Sequence, residues 1–135
     1  MTILSDFSED LALVFLFTTG SIATRPTAWY LSLHTGDPAD TGANEMDSGD
    51  DSGYTGAVRP SVAFSKLANN SVDNDANVSY TPTDGSTAVT HIGIWDSATV
   101  GSGNYICGGA LDGTRTITST APLTIAAGDL IIALD

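Results

Sequence analysis

TAWYLSLHTGDPADTGANE, residues 27–45, is a β-strand that runs into an acidic turn. Trp29, Leu31 and Leu33 alternate with Tyr30, Ser32 and His34, and a period of two sends the two sets to opposite faces of a strand. Thr35-Gly36-Asp37-Pro38 stops it: Gly36 permits a left-handed backbone, Asp37 can bond its own main chain, and Pro38 cannot donate to a ladder. Residues 35–53 then form a long acidic loop with four glycines, six acidic residues and almost nothing apolar to bury. Loops of this length are usually functional or mobile.

The rest of the chain supplies partners for that strand. Thr87–Trp95 carries apolar residues on both faces, which places it centrally between packed layers. Tyr54–Ser65 is extended, and because Pro60 would interrupt a central strand it is either an edge strand or one that begins after Pro60. Lys66–Asp75 reads as polar and turn-like, and Asn77–Tyr80 as a short strand. Asn104–Leu111 and Arg115–Thr118 read as a hairpin across Asp112-Gly113. Leu123 and Ile125 precede a turn at Ala127–Asp129, and Leu130, Ile132 and Leu134 alternate to the end. Roughly seven or eight short strands at this spacing predict a mainly β, antiparallel sandwich or barrel-like fold. The absence of strand–helix alternation excludes a parallel α/β sheet.

One helix is predicted, over residues 5–18. Asp6 and Glu9 have capping-box spacing, and Gly20 is placed to end the helix. Phe7, Leu11, Val14 and Phe15 share a stripe that Leu13, Leu16 and Phe17 widen. A helix this apolar has to be packed, and its own sheet is the preferred partner over a neighbouring molecule. A buried strand at Ala12–Phe17 is the alternative reading of the same apolar run.

A length of 135 residues predicts a single domain, 1–135, with a core that needs neither disulfide nor metal. The 16 acidic residues against 4 Lys and Arg give a formal net charge of −12. That field repels phosphate backbones and argues against nucleic-acid binding. The N-terminus is acidic where a secretory signal is basic. Leu11–Phe17 is far short of the roughly 20 residues that span a membrane. The expectation is a soluble protein made in a cytoplasm. Cys107 is the only cysteine, which excludes an intrachain disulfide and reads as a small buried strand residue.

Chemistry-bearing groups are sparse. Asp73, Asp75, Asn77 and Asp84 have the spacing of calcium-loop positions, but Val78 stands where the loop needs glycine and Asp84 where it needs glutamate. No cofactor is expected beyond a loosely bound calcium ion. His34 and His91 lack metal-ligand spacing, and Ser32 and Cys107 lack a nucleophile elbow, so no catalytic residue is assigned. Arg59, set between apolar positions in an acidic chain, is expected to be buried against a carboxylate. The interaction surface is expected in the acidic loop and its flank, at Asp37, Glu45, Asp47, Asp50, Asp51 and Tyr54, with the N-terminal segment second.

Several stretches together carry a resemblance: YLSLHTGDPADTGANE (30–45), Gly53-Tyr54 with Arg59, Val62 and Phe64, VTHIGIWDSAT (89–99), GGAL (108–111) and LTIAAGDLIIAL (123–134). The chain resembles small virion structural proteins of tailed bacteriophages, often labelled tail-fibre or minor structural proteins. It departs from that pattern at Thr55–Val58, four residues between tyrosine and arginine where one is expected. The resemblance implies a non-enzymatic virion component. A compact, acidic β-domain with one long loop resembles a capsid decoration (cement) protein, and that resemblance implies a homotrimer that binds the major capsid protein between capsomers. The alternatives are a small tail, neck, baseplate or tail-fibre-associated component and, further off, a calcium- or carbohydrate-binding β-sandwich module. A hydrolase is disfavoured by the lack of a convergent acid–base pair.

Overall fold

A computed structural model describes residues 3–20, 25–46, 54, 58–68, 70–82 and 85–134. Along the chain these form β1 (Ile3–Leu4), α1 (Asp6–Phe17), β2 (Trp29–His34), β3 (Ser61–Val62), β4 (Phe64–Ala68), β5 (Ser71–Asn74), β6 (Val78–Tyr80), β7 (Ser86–Trp95), β8 (Tyr105–Thr118), β9 (Leu123–Ile125) and β10 (Ile131–Ala133). The fold is mainly β, with several antiparallel sheets and one helix near the N-terminus, as the sequence predicts.

The main sheet has the order β1-β8-β7-β2-β3. β7 lies in its centre, and β3 begins after Pro60 and takes the edge. A second sheet runs β10-β5-β4, and β6 pairs with β9. Register explains the core. Leu31 faces Ile94, which faces Cys107, and Leu33 faces Ile92, so these side chains share one face of the sheet. Val78, Tyr80 and Ile125, from the β6–β9 ladder, join the same buried cluster. Tyr80 spends its hydroxyl on the Leu31 carbonyl at 2.9 Å, and burial raises its pKa well above the ordinary value.

β2 is buried on both faces from Leu31 to His34. The second cover is the turn after it. Residues 35–46 do not project as a free loop: Thr35 N–H donates to Asn44 O at 3.1 Å, Met46 N–H donates to Leu33 O at 2.9 Å, and His34 bridges Glu45. Met46 is fully buried. Gly42 lies so close to Trp95 and Tyr105 that a Cβ there would sit 2.3 Å from the indole, and its φ of +71° is one that side chains rarely adopt. The remainder of the predicted loop, 47–53, lies outside the described residues.

Three further expectations are corrected. Lys66–Asp75 is largely the β4–β5 hairpin, whose polar composition reflects its exposed face. Asp112-Gly113 does not turn the chain back, because β8 runs on for 14 residues. Between the pairs Val89↔Arg115 and His91↔Ala110, residues 111–114 stand against Thr90 alone. The dipeptide marks a large bulge, which bends a strand without reversing it. The third correction concerns α1. Ser5, not Asp6, is the N-cap: its Oγ accepts from Ser8 N–H at 3.3 Å and also bonds the Tyr105 carbonyl. Ser8 Oγ donates to Ile106 O at 2.7 Å, which ties the helix start to β8. The helix ends at Thr18, whose N–H and Oγ1 both bond Val14 O, without a left-handed glycine.

Glycines at the sheet centre permit close packing. A Cβ on Gly108 would lie 2.0 Å from Tyr105 Oη and 2.5 Å from the Ile92 carbonyl, whereas one on Gly113 meets nothing. Gly108→Ala is expected to lower stability by about 1–3 kcal/mol and Gly113→Ala to change it by less than about 0.5 kcal/mol, as read from paired urea-unfolding curves.

Candidate functional site

Side chains able to do chemistry converge on the β2–β7–β8 face beneath the 35–46 turn. Ser32 and His34, two apart on β2, point to the same side, and Ser32 Oγ lies 2.8 Å from His34 Nε2. His34 Nδ1 lies 2.7 Å from the Ala43 carbonyl, and Trp95 Nε1–H donates to Ser32 Oγ at 3.0 Å. A carbonyl only accepts, so Nδ1 carries a proton. Burial pulls the imidazole pKa below its ordinary 6.5, against the opposing pull of the Ala43 carbonyl and the Glu45 charge. The ring is then neutral and Nε2 accepts from Ser32. The result is one directed chain of donors, Trp95 to Ser32 to His34 to Ala43. Ser32 and His34 are both 0% exposed, so this serine–histidine pair is enclosed by the fold. It fastens the turn to the sheet.

Arg59 lies beside this chain and is the most heavily bonded side chain among the described residues. Its Nε and Nη2 fork onto the two Glu45 carboxylate oxygens at 2.6 and 2.7 Å. Nη1 reaches the Ser97, Thr99 and Ser102 carbonyls at 2.8–3.1 Å. The guanidinium lies 3.9 Å from the centre of the Trp95 ring. The expected burial of Arg59 with a carboxylate is therefore observed, with Glu45 as the partner.

The expected contact residues separate. Glu45 is committed to Arg59. Tyr54 is buried, accepting from Leu33 N–H at 2.7 Å, with its pKa raised by desolvation. Asp37 is exposed, and its Oδ1 accepts from Ala39 N–H at 2.9 Å to cap the turn. Asp47, Asp50 and Asp51 lie outside the described residues, as does Asp84 of the calcium-like spacing. Asn77 Oδ1 is bonded to Ala127 N–H. Among the described residues no group of three or more His, Cys, Asp or Glu is placed to hold a metal ion, and no helix is long and apolar enough to cross a membrane. Cys107 is buried, and burial pushes its thiol up to about 12.

Two surface features remain open. Phe7, Leu11 and Val14 of α1 are half-buried, while Leu13, Phe15, Leu16 and Phe17 are 58–78% exposed. The preferred expectation, a helix packed on its own sheet, holds for one stripe only. Periodicity shows that a face is apolar and not which molecule covers it. The second feature is a half-open cleft of about 1010 Å³ between β7–β8 and the C-terminal strands, lined by Ile92, Ile94, Leu111, Leu123, Leu130 and Ile132 together with Asp112, Arg115, Thr116, Thr124 and Asp129; Arg115 is paired there with Asp112 at 2.8 Å.

Arg59→Ala is expected to cost about 3–5 kcal/mol, because it leaves Glu45 buried without its partner. Glu45→Gln combined with Arg59→Met should cost less than the sum of the two single changes, and a double-mutant cycle in urea measures the difference. His34 has its own signature. Held neutral in the fold and free to protonate when unfolded, it takes up a proton on unfolding, so its contribution is complete above pH about 6.5 and is lost as pH falls below it. Melting temperatures between pH about 7.5 and 5.5 should fall more steeply for the wild type than for His34→Gln.

The sequence was compared with known proteins. Residues 4–133 match the model of a family described as podophage GP4 fiber I protein gp80. Comparison with curated proteins yields no match. The match spans nearly the whole chain, so the chain belongs to this podophage fibre-protein family and is a structural protein of the bacteriophage virion.

Proposed function

We propose that this chain is a non-enzymatic subunit of a podophage tail fibre, assembled with copies of itself and with other virion proteins. The single observation that carries this reading is the family match over residues 4–133, described as a fibre protein. It favours the fibre-associated alternative over the capsid-decoration role expected from compactness and acidity. The geometry is consistent with it. The serine, histidine and arginine that could have served chemistry are consumed in bonds that hold the 35–46 turn and the 96–104 loop to the sheet. The reading needs no cofactor. The oligomer proposed is a trimer, the state expected with the decoration reading and carried over here as part of the proposal.

Gold-labelled antibody against this chain, applied to intact phage particles, tests the placement. Label confined to the tail end of the particle is the expected result. Label spread over the head shell would overturn the fibre reading in favour of decoration, and its absence from washed particles would remove the chain from the mature virion.

A further inference from the structure

We infer that the cleft between β8 and the C-terminal strands takes up an extended, lysine- or arginine-bearing segment of a different protein as an added β-strand. The strand edges that meet there carry the inference. β1 pairs with β8 at Cys107 and Gly108, and among the described residues no strand continues along that edge of β8 over Gly109–Ile117. β9 pairs there with β6 alone, and β10 with β5 alone. β8, β9 and β10 all line the cleft, whereas β1, β5 and β6 contribute no residue to its lining. The cleft therefore lies on the side of β9 and β10 away from their partners, and along the stretch of β8 that β1 leaves uncovered. Free edges present N–H and C=O groups that call for another strand. A helix spends those groups on itself, whereas an extended segment offers them outward.

The side chains sort as an added strand requires. Ile94, Ile117 and Ile125 are buried, while Thr116, Thr124 and Asp129 are exposed at the rim. A strand turns alternate side chains to opposite faces, so one set meets isoleucine and the other meets hydroxyls and a carboxylate. Size agrees. About six extended residues, spaced as a strand within a sheet and between packed layers, fill on the order of 950 Å³, and the cleft holds about 1010 Å³.

Charge selects the partner. Arg115 is already paired with Asp112, and Asp129 has no ion pair among the described residues, so the lining keeps a negative charge. The whole chain carries −12, with 4 cations so spread that no run of six residues holds two of them. A second copy would bring acid to acid, whereas a basic segment of another protein is drawn in. The inference goes beyond the fibre reading and does not rest on it, since the purified chain and a peptide are enough to test it.

The probes are synthetic peptides of the form acetyl-Lys-Val-Lys-Val-Lys-Val-amide, with Val, Ile or Leu at the apolar positions, added to the purified full chain. Fluorescence anisotropy reads affinity, and nuclear magnetic resonance reads amide exchange. Slowed exchange is expected within Gly109–Ile117 and Leu123–Ile125. N-methylation of alternate peptide amides should weaken binding by about tenfold or more, through the loss of two or three backbone hydrogen bonds. Asp129→Asn should weaken it about 2–5-fold. Thr116→Trp, which puts a large strand-favouring side chain into the cleft, should abolish it, and Thr124→Trp replaces this variant should circular dichroism show loss of fold. Peptides that do not bind, that bind as well when N-methylated, or that bind no better than their glutamate counterparts overturn the inference. So does slowed exchange confined to other elements. Wild-type assembly that Thr116→Trp abolishes, without peptide uptake, overturns it as well, because a second copy would then fill the cleft.

Discussion

A buried guanidinium organises this protein. Arg59 is removed from water, and a charge in that position is tolerated only when its donors are satisfied. Here they are met by a forked carboxylate, three backbone carbonyls and the face of Trp95. The partners come from separate stretches: Glu45 closes the turn after β2, Ser97 to Ser102 form the loop between β7 and β8, and Arg59 lies just before β3. One side chain thus fixes three connections over one face of the main sheet. The Trp95–Ser32–His34–Ala43 chain runs beneath the same turn and shares Trp95 with Arg59. Removing either set would leave polar groups buried without partners, and both sets rest on the same indole.

The strands whose side chains carry a pattern were legible in the sequence. Trp29–Leu33 and Val89–Trp95 alternate clearly, and their central pairing follows. Pro60 correctly marked an edge, and an arginine among apolar residues in an acidic chain correctly marked a buried ion pair. What escaped was structure made by the main chain. The 35–46 turn covers β2 through the Ala43 carbonyl and the missing Cβ of Gly42, neither of which contributes to hydrophobic periodicity, so a Gly- and Asp-rich segment read as a loop aimed outward. Asp112-Gly113 is a strong local turn signal, yet β7 stays paired on both sides of it and the chain accommodates the extra residues as a bulge. Glu45 and Tyr54 were placed on the surface for their polarity, and the fold uses both inside.

The helix shows a different boundary of sequence reading. Its apolar stripe was visible, but whether a stripe serves an intramolecular core or an intermolecular one depends on where the sheet lies. β1 pairs with β8 and Ser5 and Ser8 clamp the helix start to β8, which among the described residues sets one face of α1 against its own chain.

The central claim is that the buried Arg59–Glu45 fork holds the turn after β2 to the main sheet. Hydrogen exchange on Arg59→Met beside the wild type, in conditions where both stay folded, tests it most directly. The account predicts that the Thr35 and Met46 amides, which close the turn, lose protection in the variant while the β2–β7 amides keep theirs. Unchanged protection at Thr35 and Met46 would contradict it.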